Sequence, residues 1–136
     1  MLIHEQHQLS IPSKTENLFE VERMIQEVCE HCEAGEENFG NILIAVTEAV
    51  NNAIFHGNIN DPNKLIQITC SGREHELFFS VEDEGKGFDP SQVPDPTAPE
   101  NIEKPNGRGI FLMKHLADKV EFKNNGKKVE LSFHLN

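Results

Sequence analysis

The sequence has no tryptophan, no tyrosine and only three cysteines in 136 residues. Three is an odd count and too few for a disulfide framework, which fits a reducing compartment. Basic residues are scarce. Twelve Lys and Arg face 23 Asp and Glu, giving a formal net charge of −11. A field of that sign argues against a protein that grips nucleic acid or anionic lipid through its general charge. An anionic ligand can still bind where backbone amides, a metal or a few basic groups overrule the field locally. No apolar run approaches the roughly 18 residues of a membrane span. The start, Met1-Leu2-Ile3-His4-Glu5, lacks the basic and long apolar segments of a signal peptide. A cytoplasmic protein is expected. Two nucleotide signatures are also missing. There is no Gly-x-x-x-x-Gly-Lys-Ser/Thr loop. Neither Gly-x-Gly run completes a dinucleotide fingerprint, because Pro90 and Leu112 stand where the third glycine belongs.

What remains is a soluble globular composition, 37% apolar and 26% charged, at the length of one domain. Residues 4–11 alternate loosely before Pro12, which predicts a short edge strand. Ser13 and Glu16 have capping-box spacing. Leu18, Val21, Ile25 and Val28 recur at helical period, so a first helix is expected over 14–32, with a break at Ala34-Gly35. A second helix carries the stripe Phe39, Ile42, Leu43, Val46, Ala49, Val50, Ala53 and Ile54, and should end near His56-Gly57 with the glycine at a C′ position. Asn58 to Asn63 reads as a turn. Leu65–Cys70 and Leu77–Val81 read as a hairpin. The stretch 84–106 holds Pro90, Pro94, Pro96, Pro99 and Pro105, and predicts a long loop. A short helix should open at Gly107. A final hairpin, Val120–Phe122 and Val129–Leu135, should turn at Asn125-Gly126. The order β-α-α-β-β-loop-α-β-β predicts an α+β two-layer sandwich, its helices on one face of a mixed, mostly antiparallel sheet.

Three local features carry chemistry. Glu48 and Asn52 are i,i+4 neighbours on the edge of the second helix's apolar stripe, and His56 extends the row. Two adjacent Asn inside a helix work against it, since the amide competes for backbone hydrogen bonds. A carboxylate beside an amide oxygen can hold hydrated Mg²⁺ or orient a hydroxyl for proton removal. The bland alternative is a solvated polar face. Next, Asp83-Glu84-Gly85-Lys86-Gly87 follows a strand. There the glycines let backbone approach a flat ligand, while the carboxylate accepts from an exocyclic amine. An acid-capped tight turn is the alternative. Last, Gly107-Arg108-Gly109 enters a helix, whose free N–H groups and dipole favour phosphate, with Arg108 adding charge. A plain hinge into a helix is the alternative.

Taken together and in this order, Glu48…Asn52, Asp83-x-Gly85-x-Gly87 and Gly107-Arg108-Gly109-Ile110 resemble the N box and the two glycine boxes of the GHKL (Bergerat-fold) ATP-binding superfamily. The stretches Ala45–Gly57 and Gly107–Met113 look like the small anti-sigma-factor serine/threonine kinases of bacteria. That resemblance covers nearly the whole chain and implies a single domain, 1–136, with an ATP lid about 84–106. It implies that Asn52 coordinates Mg²⁺ and that Glu48 is the general base for a serine hydroxyl. Asp83 then takes the adenine amine, with Gly85 and Gly87 giving room, while Gly107, Arg108 and Gly109 hold phosphates. ATP and Mg²⁺ are the implied cofactors. The implied partners are a small antagonist protein as substrate, a sigma factor or similar partner, and a second copy of the chain. An ATP-binding regulatory module that transfers nothing is the alternative. In one place the chain departs from the family: Lys127-Lys128 follows Gly126 where the family usually has Gly-Thr, and two outcomes are open, weaker adenine binding or substitution by another hydroxyl such as that of Thr69.

Other residues are discounted. Cys29-Glu30-His31-Cys32 has half a zinc pattern but no second ligand pair, so Cys29 should face the core and His31 the solvent. His115 and His134 show no partner. Phe19, Phe39, Phe55, Phe78, Phe79, Phe111, Phe122 and Phe133 are expected to be core residues.

Overall fold

Alternating burial along the strands builds one sheet with a single covered face. A computed structural model describes residues 7–59, 61–73, 75–85 and 105–135. Its elements are β1 (His7–Pro12), a 3₁₀ turn (Thr15–Asn17), α1 (Leu18–His31), α2 (Glu36–Asn52), a π-turn (Ala53–Gly57), β2 (Leu65–Arg73), β3 (Glu76–Glu82), α3 (Pro105–Leu116), β4 (Lys119–Lys123) and β5 (Lys128–His134). The strands lie in the order β1-β2-β3-β5-β4, and every pairing is antiparallel. The fold is therefore α+β with a five-stranded sheet, as the alternation of patterns predicts.

The register puts Ile11 opposite Ile66, Leu9 opposite Ile68, and Val81 opposite both Ile68 and Val129. These residues share the face on which Val21, Ile25 and Val28 of α1 and Ile42, Val46 and Val50 of α2 are buried in one cluster. Burying a Val or Ile side chain contributes about 1.5–3 kcal/mol each, so this cluster is the main stabilising term. Phe79 and Phe133 meet edge to face within it, their centroids 5.9 Å apart. The opposite face is polar. On it Lys119, Glu121, Lys123, Glu130 and Lys128 form an exposed chain of ion pairs.

Several local expectations are corrected. Ser13 does not cap α1. Its hydroxyl donates to the Lys64 carbonyl at 2.9 Å and accepts from the Asn58 amide at 2.6 Å, so the first helical turn is 3₁₀ and α1 begins only at Leu18. Gly57 is not a left-handed cap; among the described glycines only Gly35 and Gly126 have positive φ. α3 starts at Pro105, two residues before Gly107, because proline's fixed φ and missing donor suit a first helical position. The last hairpin turns where expected, but over four residues, with Asn124, Asn125 and Gly126 all at positive φ. Of the phenylalanines, Phe19, Phe55, Phe78 and Phe111 are exposed. They sit off the buried stripes, and Phe111 stacks on His115 at 6.0 Å. His134 also has partners, since its N–H donates to Asp118 and its ring lies 3.8 Å from Glu76. Cys29 is buried and His31 exposed, as expected. Burial pushes the Cys29 and Cys70 thiols up to about 12. Among the described residues no group of three or more ligand side chains could hold a metal, and no helix is long and apolar enough to cross a membrane.

Candidate nucleotide site

α2 and its π-turn carry or contact the candidate residues, meeting two other elements in succession. At Glu48 and Asn52 the helix meets α3. A Cβ placed on Gly109 would lie 3.0 Å from Glu48 Oε2 and 3.3 Å from both amide atoms of Asn52. Carboxylate, amide and the first turns of α3 therefore sit in contact, and both polar side chains are half-buried. Glu48 and Asn52 share a face because they are one helical turn apart. α3 approaches so closely because position 109 has no side chain. Gly107 and Arg108 lie in the first turn of α3, where backbone N–H groups lack helical acceptors. This face offers hard oxygen donors beside free amides, a combination that suits a divalent cation with phosphate.

Farther along, at Gly57, the π-turn meets the end of β3. Strand alternation continues from Leu77, Phe79 and Val81 to Asp83, so this carboxylate turns toward the helical layer. It lies directly over Gly57: a Cβ there would stand 2.3 Å from Asp83 Cγ and Oδ2. The Gly85 N–H donates to Asp83 Oδ1 at 2.8 Å. Gly85 itself is pressed on the Gly57 carbonyl, to which a Cβ would come within 1.9 Å. The backbone N–H of Asp83 donates to the Lys127 carbonyl at 2.9 Å.

Burial raises the Asp83 pKa above its ordinary 3.8; the Gly85 N–H and the Lys127 ammonium oppose the rise. A carboxyl whose pKa is higher folded than unfolded favours the native state at low pH. That advantage is lost as pH rises from the ordinary carboxylate range through the folded value. Asp83→Asn keeps the acceptor for Gly85 without the half-buried charge. Its melting temperature is expected to exceed the parent's at neutral pH, with the gap closing in acid. A gap that widened in acid would contradict a carboxylate penalised by burial.

The remaining candidates fall elsewhere. Gly87 and residues 86–104 of the expected lid lie outside the described residues. His56 is exposed in the π-turn, which carries it out of the Glu48–Asn52 row. Thr69 cannot stand in for a hydroxyl near Asp83. It bonds Ser80 on the other face of the sheet, with the parity opposite to that of Ile68 and Val81. A groove of about 320 Å³ between the end of α1 and the start of α2, lined by Cys29, Glu33 and Phe39 among others, contains none of the candidate residues. Asn58, by composition the first residue of the turn expected over 58–63, carries no functional signal in the sequence. The structure buries it beside the site, bonded to the residue after Asp83. No local pattern marks it, since its partners are remote in sequence.

Known proteins resemble the chain over most of its length. Residues 11–133 match the model of the histidine kinase-like ATPase domain. An anti-sigma F factor of Anoxybacillus flavithermus is 35% identical over 101 residues, 69% of this chain and 68% of the relative. One from Clostridium perfringens is 34% identical over 106 residues, 74% and 75% of the two chains. The solved RsbU and RsbW domains of Rv1364c from Mycobacterium tuberculosis superpose with a TM-score of 0.70 at 15% identity. That match covers 96% of this chain and 32% of the longer one, and it shows the shared fold. With this fold and these relatives, the chain belongs to the GHKL histidine kinase-like ATPase family, in its anti-sigma-factor group.

Proposed function

We propose that the chain is an ATP-binding serine/threonine protein kinase of the anti-sigma type. It phosphorylates a serine on a small antagonist protein and, in its other state, sequesters a sigma factor or similar partner. The observation that carries this reading is the contact of Glu48 and Asn52 with Gly109, which puts a carboxylate and an amide oxygen against the amide-rich start of a helix. Phosphoryl transfer depends mainly on positioning and charge neutralisation, so few side chains suffice.

The roles follow from place. Asn52 would hold Mg²⁺, which when bound neutralises phosphate charge. Glu48, one turn away, would take the proton from the attacking serine hydroxyl. Gly107 and Arg108 would bind phosphates through first-turn N–H groups and the guanidinium, whereas the Gly109 N–H belongs to the helix's own ladder from Pro105, so this glycine would give them room beside Glu48 and Asn52. Asp83 would accept from the adenine amine, with Gly85 and Gly87 leaving room for the ring. Lys127 stands where a threonine is usual, and its ammonium, after the Gly85 N–H, only partly offsets the burial that disfavours the Asp83 carboxylate. A net charge of −11 opposes an anion, so Mg²⁺, amides and Arg108 would supply the attraction for ATP locally, and nucleic acid and membrane are not proposed as partners. The same reading carries with it a cytoplasmic location and a homodimer.

Thermal shift tests the reading. A ligand bound only to the native state at 100 times its Kd adds about 2.7 kcal/mol, which should raise the melting temperature by about 5 °C or more. Mg-ATP is expected to do this and Mg-GTP is not. Asn52→Ala should lose the Mg²⁺-dependent part of the shift and keep the rest. No response to Mg-ATP would defeat the proposal. An equal response to GTP would remove Asp83 as the base-reading group.

A further inference from the structure

Among the described residues two polar residues are buried almost entirely, Ser13 and Asn58, each 1% exposed. They are bonded to each other. Asn58 uses its amide fully: Nδ2 donates to Ser13 Oγ at 2.6 Å and to the Leu65 carbonyl at 3.0 Å, and Oδ1 accepts from the Glu84 N–H at 2.8 Å. Its backbone N–H donates to the Ala53 carbonyl at 2.8 Å and so closes the π-turn after α2. One residue therefore joins the end of α2, the exit of β1, the start of β2 and the end of β3.

The bond to Glu84 matters most for the site. Three successive amides, Asp83, Glu84 and Gly85, are each partnered. The first donates to the Lys127 carbonyl in the β4–β5 turn, and the third to the turn's own Asp83 carboxylate. Only the second reaches the helical layer, through Asn58. The neighbouring Gly57 makes the space into which Asp83 and Gly85 press. The Gly57-Asn58 dipeptide thus gives the turn both its seat and its clamp. An acid at 58 would keep the acceptor but lose both donors, and would add negative charge beside Asp83 and Glu84. Glutamine is one methylene too long for the same three bonds.

We propose that Asn58 is a positioning residue: its amide clamps the Asp83–Gly85 turn to the end of α2 and thereby sets which purine the site accepts. The inference rests on the nucleotide reading above and deepens it. Asn58 would touch no ligand itself and would act through Asp83.

The test compares Asn58→Ala with Ser13→Ala. Both remove part of the buried network and should lower the melting temperature. Only the first breaks the bond to Glu84. Amide exchange at Glu84, relative to Phe79, should accelerate about tenfold in Asn58→Ala, and the ATP-over-GTP affinity ratio from calorimetry should fall about tenfold, the loss expected for one hydrogen bond. Ser13→Ala should keep both at the parental value. Parental exchange and ratio in Asn58→Ala would overturn the proposal. So would equal changes in Ser13→Ala, because the effect would then be general loosening. If Asn58→Ala does not fold, scalar coupling across the hydrogen bond between Glu84 ¹⁵N and Asn58 ¹³Cγ in the parent decides. Its presence supports the clamp and its absence overturns it. A parent that binds no adenine nucleotide while Glu84 exchange responds as expected would defeat the nucleotide reading and the purine half of this inference, leaving the clamp itself standing.

Discussion

Gly85→Ala is expected to cost the protein about 3 kcal/mol of stability, at the upper end for overpacking, and to abolish adenine binding. The added methyl would lie 1.9 Å from the Gly57 carbonyl oxygen and 2.5 Å from its carbon. Those are backbone atoms at the end of a helix held by the buried Asn58, so they cannot swing aside. The β3 end must move instead, and Asp83 moves with it. Gly57→Ala is the matched comparison. There the methyl meets the Asp83 carboxylate at 2.3 Å, the far end of a side chain that can rotate. Its stability loss should be smaller, below about 1.5 kcal/mol, because one side chain repacks rather than a backbone. Its loss of adenine binding should be as complete, since the carboxylate is displaced. Urea denaturation with an unchanged m-value and nucleotide calorimetry measure the two effects. Equal stability in Gly85→Ala and the parent would contradict the close approach of the two turns.

Much of this site is legible from period alone. A spacing of four puts Glu48 and Asn52 on one helical face, and a spacing of two carries Asp83 onto the side of Phe79 and Val81. The element order, the two hairpins and the Ala34-Gly35 break are local patterns too, and the structure has them. What period does not reveal depends on contacts between residues far apart in sequence. Ser13 has the spacing of a cap, yet its hydroxyl is taken by Lys64 and Asn58, 51 and 45 residues away. Gly57 looks like a helix terminator, but the reason for glycine there is Asp83, which arrives from another strand. Asn58 has the composition of a turn residue and the burial of a core residue. Thr69 offers a hydroxyl, and only the register with Ser80 shows that it faces away. Exposure of Phe19, Phe55 and Phe111 is hidden for a related reason: aromatic type suggests burial, while their positions lie outside the stripes that meet the sheet.

Glu48→Gln is expected to lower phosphoryl transfer to a serine-bearing antagonist protein by about 10²–10³-fold, within the range for loss of a general base. The change is nearly isosteric. Glutamine keeps the length and an oxygen at the position that packs beside Gly109, so α2 and α3 should stay in contact. Melting temperature and the Mg-ATP shift should therefore match the parent's. What disappears is the capacity to accept a proton, because an amide oxygen is far less basic than a carboxylate. This separation makes the variant informative. Failure to bind would mean that Glu48 contributes to the nucleotide site itself, through its contact with α3. Normal binding with lost transfer is the signature of a base. Normal binding with normal transfer would remove Glu48 from the chemistry. The serine would then have to be activated by position alone, held in line by the amides at the start of α3. The half-buried placement of Glu48 beside Asn52 favours the base, since the site surrounds the carboxylate with the groups that would bind the phosphates it must serve.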